Sequence, residues 1–121
     1  QADSKSIVSI AKEIKEAAEQ ARQGKMDPSR MRGGTFTITS VGNIGGTMFT
    51  PIINYPQVAI LGIGRIQDKP AVVDGKVVVR KLVNLSLSYD HRLIDGALGA
   101  QFMQMLKVQL EDPSVLFMEM V

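Results

Sequence analysis

Cysteine and tryptophan are absent from these 121 residues, and histidine occurs once, at position 91. Without cysteine there are no disulfides, no thiolate metal sites and no cysteine nucleophile, which fits a reducing compartment such as the cytoplasm, or alternatively the mitochondrial matrix. Aromatic residues are scarce, with four Phe and two Tyr, so no platform for stacking bases is evident. Excess charge of one sign is also lacking. The formal net charge is +2, and acids and bases are interleaved, which argues against a nucleic-acid partner. No apolar run approaches the ~20 residues of a membrane helix. The longest, from Val58 to Gly64, is far shorter, and no signal-peptide pattern precedes it. What is present is ordinary for one small globular domain, with 45% hydrophobic and 21% charged residues.

Hydropathy divides the chain into alternating elements. Ile7, Ile10, Ile14, Ala17, Ala18 and Ala21 recur at a period near 3.6 and predict an amphipathic helix over 6–23. Asp3, Ser4 and Ser6 are candidate N-caps, and Gly24 is its stop. Residues 26–34 read as a connector. Thr35 to Val41 alternates as a strand, with Phe36, Ile38 and Ser40 on one face and the threonines on the other. The glycine-rich segment Gly42 to Thr47 matches neither a GxGxxG nor a Walker pattern, so its glycines read as turn formers. Pro51 and Pro56 keep 49–57 out of regular structure, and Val58 to Ile66 is apolar on both faces, as a central strand is. Asp74-Gly75 between two valine-rich runs predicts a two-residue hairpin.

Val83 to Tyr89 alternates again, with Val83, Leu85, Leu87 and Tyr89 opposite Asn84, Ser86, Ser88 and Asp90. A helix is expected from Gly96 to Glu111, with its core stripe on Leu98, Phe102, Met105, Leu106 and Gln109–Leu110. Asp95 stands at its N-cap and Pro113 at its end. Ser114 is a candidate cap for a short last turn. The apolar ending from Val115 to Val121 fits either a subunit contact or docking on the sheet. His91 thus falls where a strand stops and a helix begins, a place that can present a side chain from two regular elements.

At His91-Arg92-Leu93-Ile94-Asp95-Gly96 the sequence resembles the catalytic domain of the dihydrolipoamide acyltransferases of 2-oxo acid dehydrogenase complexes. The likeness extends, in order and in spacing, over Gly33 to Thr39, Phe49 to Asn54, Val58 to Gly62 and Leu85 to Asp90, and covers the chain from about Ser6 onward. It implies an α/β fold of the two-layer α+β kind: a mixed β-sheet with helices on one face, as in chloramphenicol acetyltransferase. It further implies that residues 1–121 are a single partial domain, the C-terminal portion of the catalytic domain, without the lipoyl and peripheral subunit-binding domains.

The chemistry so implied moves an acyl group between dihydrolipoamide, the lipoyl group carried on another domain, and coenzyme A. A thiol of pKa near ~8.5 must lose its proton to attack, and a histidine is suited to take it. The resemblance gives that role to His91. It gives stabilisation of the thioester oxyanion to the hydroxyl of Thr39, where many relatives carry serine, and ordering of the site to Asp95, which its capping position explains equally well. Ser40, Gly64 and Ile66 match positions lining the pantetheine channel, and Arg92 reads as a structural ion-pair partner.

The family's active site forms between two subunits of a homotrimer. Its trimers build a cubic or dodecahedral core that works with a 2-oxo acid decarboxylase and a dihydrolipoamide dehydrogenase. Neither nucleic acid nor membrane is expected as a partner. Tyr89-Asp90-His91 and the ending Glu111 to Leu116 lean toward the branched-chain or a generalist type. The alternatives are an assembly module without turnover, or, resting on the glycine loop, a nucleotide-binding domain.

Overall fold

A computed structural model describes residues 2–119, so Met120 and Val121 of the apolar ending lie outside the described residues. The chain forms two compact units, 1–34 and 35–121. The first is built on helix α1 (Ile7–Arg22). Ser6 caps it by accepting from the Ser9 N–H, and Gly24 follows its C-cap with φ +66°. Asp3 and Ser4 instead lie in a single 3₁₀ turn before it. The connector contains another 3₁₀ turn, Pro28–Met31, capped by Asp27. No residue of α1 is buried. Ile7, Val8 and Ile14 of its apolar side are exposed.

The second unit centres on a three-stranded mixed sheet in the order β1 (Thr37–Ser40), β2 (Ala59–Ile63), β5 (Leu85–Tyr89). β1 runs parallel to β2 and β5 antiparallel to it. The register puts Thr37, Ile60 and Ser88 in one row, and Thr39, Gly62 and Ser86 in another on the same face. Ile38, Leu61 and Leu87 point the other way. β2 is central and apolar, as its sequence requires. Ala59, Ile60 and Leu61 are the buried hydrophobic residues among those described.

β2 ends earlier than the apolar run does. Past Ile63 one bond still keeps the β5 register, the Gly64 N–H donating to the Asn84 carbonyl (2.9 Å), and the backbone then turns to the glycine loop, the Arg65 N–H donating to the Gly46 carbonyl (2.7 Å). Residues 48–57 are irregular, as two prolines demand. They return over the threonine face, where the Phe49 ring lies against Gly62. Pro51 is buried. Under that cover Thr37 and Thr39 are half-buried, while Ile38 on the other face is 63% exposed.

Strands β3 (Gln67–Val73) and β4 (Lys76–Leu82) form a separate two-stranded sheet. Its turn is the expected Asp74-Gly75, both with positive φ (50° and 75°). Helix α2 (Gly96–Glu111) has the predicted limits, and its predicted stripe faces the sheet: Leu98 and Phe102 line an apolar hollow with Phe36, Ala59 and Leu87. Gly99 is its buried position and Met103, Leu106 and Gln109 are half-buried, whereas Leu98, Phe102, Met105 and Leu110 are exposed. The closest approach is at the glycine: with no side chain at 99, the ring of Tyr89 on β5 comes within 2.8 Å of where a Cβ would stand. The helix therefore meets the sheet along that line.

Asp112, not Ser114, caps the last helix, α3 (Pro113–Glu119), accepting from the Ser114 N–H at 3.0 Å. α3 packs on α2 rather than on the sheet, and Phe117 and Met118 are exposed. The accessible surface is 9753 Å², against about 6,400 Å² for a self-contained protein of 13.2 kDa. Much apolar surface is thus available to partners.

Candidate active site

His91 is held by its neighbours in the chain rather than by a cavity. β5 delivers it: the last ladder-like bond is from the Asp90 N–H to the Val58 carbonyl (2.8 Å), and His91 is the next residue. A turn follows, in which the Leu93 and Ile94 N–H groups both donate to the Asp90 carbonyl (3.0 Å). Asp95 then starts α2, its Oδ1 accepting from the Leu98 N–H at 2.8 Å. Asp95 is therefore the N-cap that sequence predicts. The His91 ring is exposed and lies 5.7 Å from the Tyr89 ring, centroid to centroid, tilted by 39°. Its nitrogens have no hydrogen-bond partner among the described residues, so both face solvent chemistry.

Asp90 and Arg92 close a clamp across His91. The Arg92 guanidinium donates through Nε (2.9 and 3.1 Å) and Nη2 (2.6 Å), and its backbone N–H bonds Oδ1 at 3.0 Å. The guanidinium bonds, and after them the backbone bond, hold the Asp90 carboxyl down at about 2. The structural role expected of Arg92 is what the geometry shows. Since an unfolded aspartate titrates near ~3.9, whatever stability the clamp adds is complete above about pH 4 and is lost as pH falls toward 2. Denaturation of the protein and of its Asp90→Asn variant across pH 2–7 should show a constant difference above about pH 4 that vanishes at the acid end.

Thr39 sits on β1, half-buried, beside Gly62 and the Phe49 ring. The neighbouring threonine on that face, Thr37, donates its hydroxyl to Gln57. The Thr39 hydroxyl has no partner among the described residues, so it remains available to a ligand. Ser40, exposed, points from the opposite face of the same strand. Ile66 is 64% exposed just past β2. Gly64 is buried, and a Cβ there would collide with the Thr47 carbonyl oxygen, so close backbone packing accounts for this glycine.

The predicted residues thus form two groups at opposite ends of the sheet. Thr39, Ser40, Gly64 and Ile66 gather at the end of β2 where Gly62 pairs with Ser86; His91 and Asp95 lie beyond the end where Ala59 pairs with Tyr89. Thr39 shares its row with Ser86, so it is separated from His91 by two strand spacings and about five residues along the sheet, roughly 19 Å. One chain does not bring them together. Sequence reading gave no site role to Tyr89, whose ring is near His91, or to Gly99, which lies against that ring. A lone glycine inside a helical pattern is the signal that could have found them.

The model of the 2-oxoacid dehydrogenases acyltransferase (catalytic domain) family matches residues 1–118. The chain belongs to that family. Over 118 residues it is 52% identical to the dihydrolipoyllysine-residue acetyltransferase component of the pyruvate dehydrogenase complex of Staphylococcus aureus, covering 98% of this chain and 27% of that protein. The cubic core of a pyruvate dehydrogenase multienzyme complex aligns with a TM-score of 0.90 and 47% identity, over 95% of this chain and 47% of the other.

The dihydrolipoamide acetyltransferase of Azotobacter vinelandii aligns at 0.89 with 48% identity, again over 95% of this chain and 47% of the other. This acyltransferase-family chain therefore spans about a quarter of the S. aureus protein and about half of these solved chains. For the Azotobacter enzyme, a serine, a histidine 52 positions later and an asparagine four beyond that were investigated for roles in its catalytic mechanism. Among the described residues here, no group of His, Asp and Glu could hold a metal ion, and no helix is long and apolar enough to cross a membrane.

Proposed function

We propose that this family member transfers an acyl group, acetyl by the names of its relatives, between dihydrolipoamide and coenzyme A. The observation that carries the reading is an exposed, unpartnered imidazole at a rigid strand–helix junction. Thr39 and Asp95 stand 52 positions before it and four after it, the spacing of the three residues investigated in the Azotobacter enzyme. His91 takes the proton from the attacking thiol. The thiolate adds to the thioester carbonyl, and the oxyanion so formed accepts a hydrogen bond from the Thr39 hydroxyl. Collapse expels the second thiol as its thiolate, which recovers the proton from the imidazolium. Asp95 holds the junction by capping α2. In this reading Ser40, Gly64 and Ile66 line the approach of the coenzyme A arm.

The separation of Thr39 from His91 in one chain supports a site shared between two copies, as in a trimer, within a complex containing the decarboxylase and dehydrogenase components. An assay of acetyl transfer from acetyl-CoA to dihydrolipoamide tests this. Thr39→Ala should lower kcat about 10²–10³-fold and Thr39→Ser should retain it; equal rates for all three proteins would remove Thr39 from the mechanism.

The exposed apolar surface favours a second reading, an assembly module without turnover. Trimers by light scattering together with no acyl transfer would establish it instead.

A further inference from the structure

Beyond the three residues at catalytic spacing, the geometry points to Tyr89 as a positioning residue for His91, seated by Gly99; this rests on the reading of His91 as the base. The contacts form a chain. Gly99 is the buried position of α2, and its missing side chain leaves the space that the Tyr89 ring fills: a Cβ at 99 would lie 2.8 Å from Cε1 and 3.0 Å from Cζ. The same ring lies 5.7 Å from the imidazole, centroid to centroid, close enough for a tilted aromatic contact.

No hydrogen bond orients the imidazole among the described residues, and its ring contact is with Tyr89. The clamp of Asp90 and Arg92 fixes the backbone on either side of His91 but does not reach the ring. Tyr89 therefore does for the side chain what the clamp does for the main chain. Gly99 has a cost that this role explains, since glycine is a poor residue for a helix interior and alanine the best. A base displaced by about 1 Å from its proton can lose on the order of 10²-fold in rate, so a ring that limits imidazole motion acts on kcat rather than on substrate affinity.

Two substitutions separate this role from plain packing. Gly99→Ala suits the helix better but pushes the end of the Tyr89 ring away, and Tyr89→Leu keeps an apolar residue while removing the ring. Tyr89→Phe keeps the ring and loses only the hydroxyl. His91 is the only histidine, so its Hδ2 and Hε1 resonances report on it directly in this protein. Both Gly99→Ala and Tyr89→Leu should remove the ring-current displacement of these resonances. Both should lower kcat roughly 10–100-fold with KM within about twofold, with helical circular dichroism retained. Tyr89→Phe should keep the displacement and most of kcat.

Imidazole resonances unmoved in Gly99→Ala and Tyr89→Leu would overturn the role, as would moved resonances with unchanged kcat, or equal losses in Tyr89→Phe and Tyr89→Leu. If the unsubstituted protein has no turnover, the reading of His91 as base fails separately, and the resonances still decide whether Tyr89 holds the ring.

Discussion

His91→Ala is expected to lower acyl transfer about 10²–10⁴-fold while leaving the fold unchanged, the range a positioned general acid–base supplies. Both halves follow from the same geometry. The imidazole is exposed, has no hydrogen bond to lose among the described residues and makes a tilted ring contact with Tyr89. The junction that carries it is held by other groups: the Asp90–Arg92 clamp, the Asp90 carbonyl and the Asp95 cap. Removing the ring therefore removes chemistry without removing support. Steady-state kinetics beside a melting curve measure both. A large fall in melting temperature would show His91 to be structural, and near-normal turnover would exclude it as the base.

The second large effect is on stability, at a residue that the family pattern assigns to ligand binding. Gly64→Ala should cost about 3 kcal/mol, near the upper end of ordinary overpacking, because the clash is with backbone that has no rotamer to change. The added methyl would meet the Thr47 carbonyl oxygen, which already accepts from Asn84 Nδ2 at 3.0 Å, while the Gly64 N–H is bonded to the Asn84 carbonyl. Making room for it breaks the point where β2, the 42–47 loop and the start of β5 are tied together. A fall in melting temperature of roughly 12–20 °C is expected for a domain of this size. Gly96→Ala, at the first position of α2 with nothing within 4 Å, is the control and should change little. If both variants melt alike, Gly64 has no packing role.

The fold was legible wherever local pattern and final environment agree. Asp74-Gly75 fixes its turn because both residues must have positive φ, whatever lies around the hairpin. Asp95 caps α2 because the bond is made within four residues. The apolar run after Val58 became the central strand because no other strand can be covered on both sides. What periodicity could not give was the point where α2 comes closest to the sheet. That depends on Gly99 and Tyr89, ten residues apart in sequence and on different elements, and hydrophobic counting ranks a glycine below Leu98 and Phe102. The burial of β1 was hidden for a similar reason. Threonines are inside because residues 48–57 fold back over them, a tertiary event invisible in a strand of four residues.

The site was legible as a set of residue types and spacings, but not as a place. His91 and Asp95 are local to one junction, so the sequence brings them together directly. Thr39 belongs to the same spacing pattern yet lies at the other end of the sheet, and the register of β1, β2 and β5 makes the distance unavoidable in a single chain. The site proposed between two copies is an arrangement in which a hydroxyl at one end of a sheet can serve an imidazole at the end of another.

Co-assembly of two inactive variants tests this most directly. Thr39→Ala chains keep His91, and His91→Ala chains keep Thr39. Mixed one to one, denatured and reassembled, they form sites in which an intact His91 meets an intact Thr39 from the neighbouring copy about a quarter of the time, so activity should return to about a quarter of the unsubstituted level. Activity no greater than the sum of the two variants assembled separately would contradict a site shared between chains.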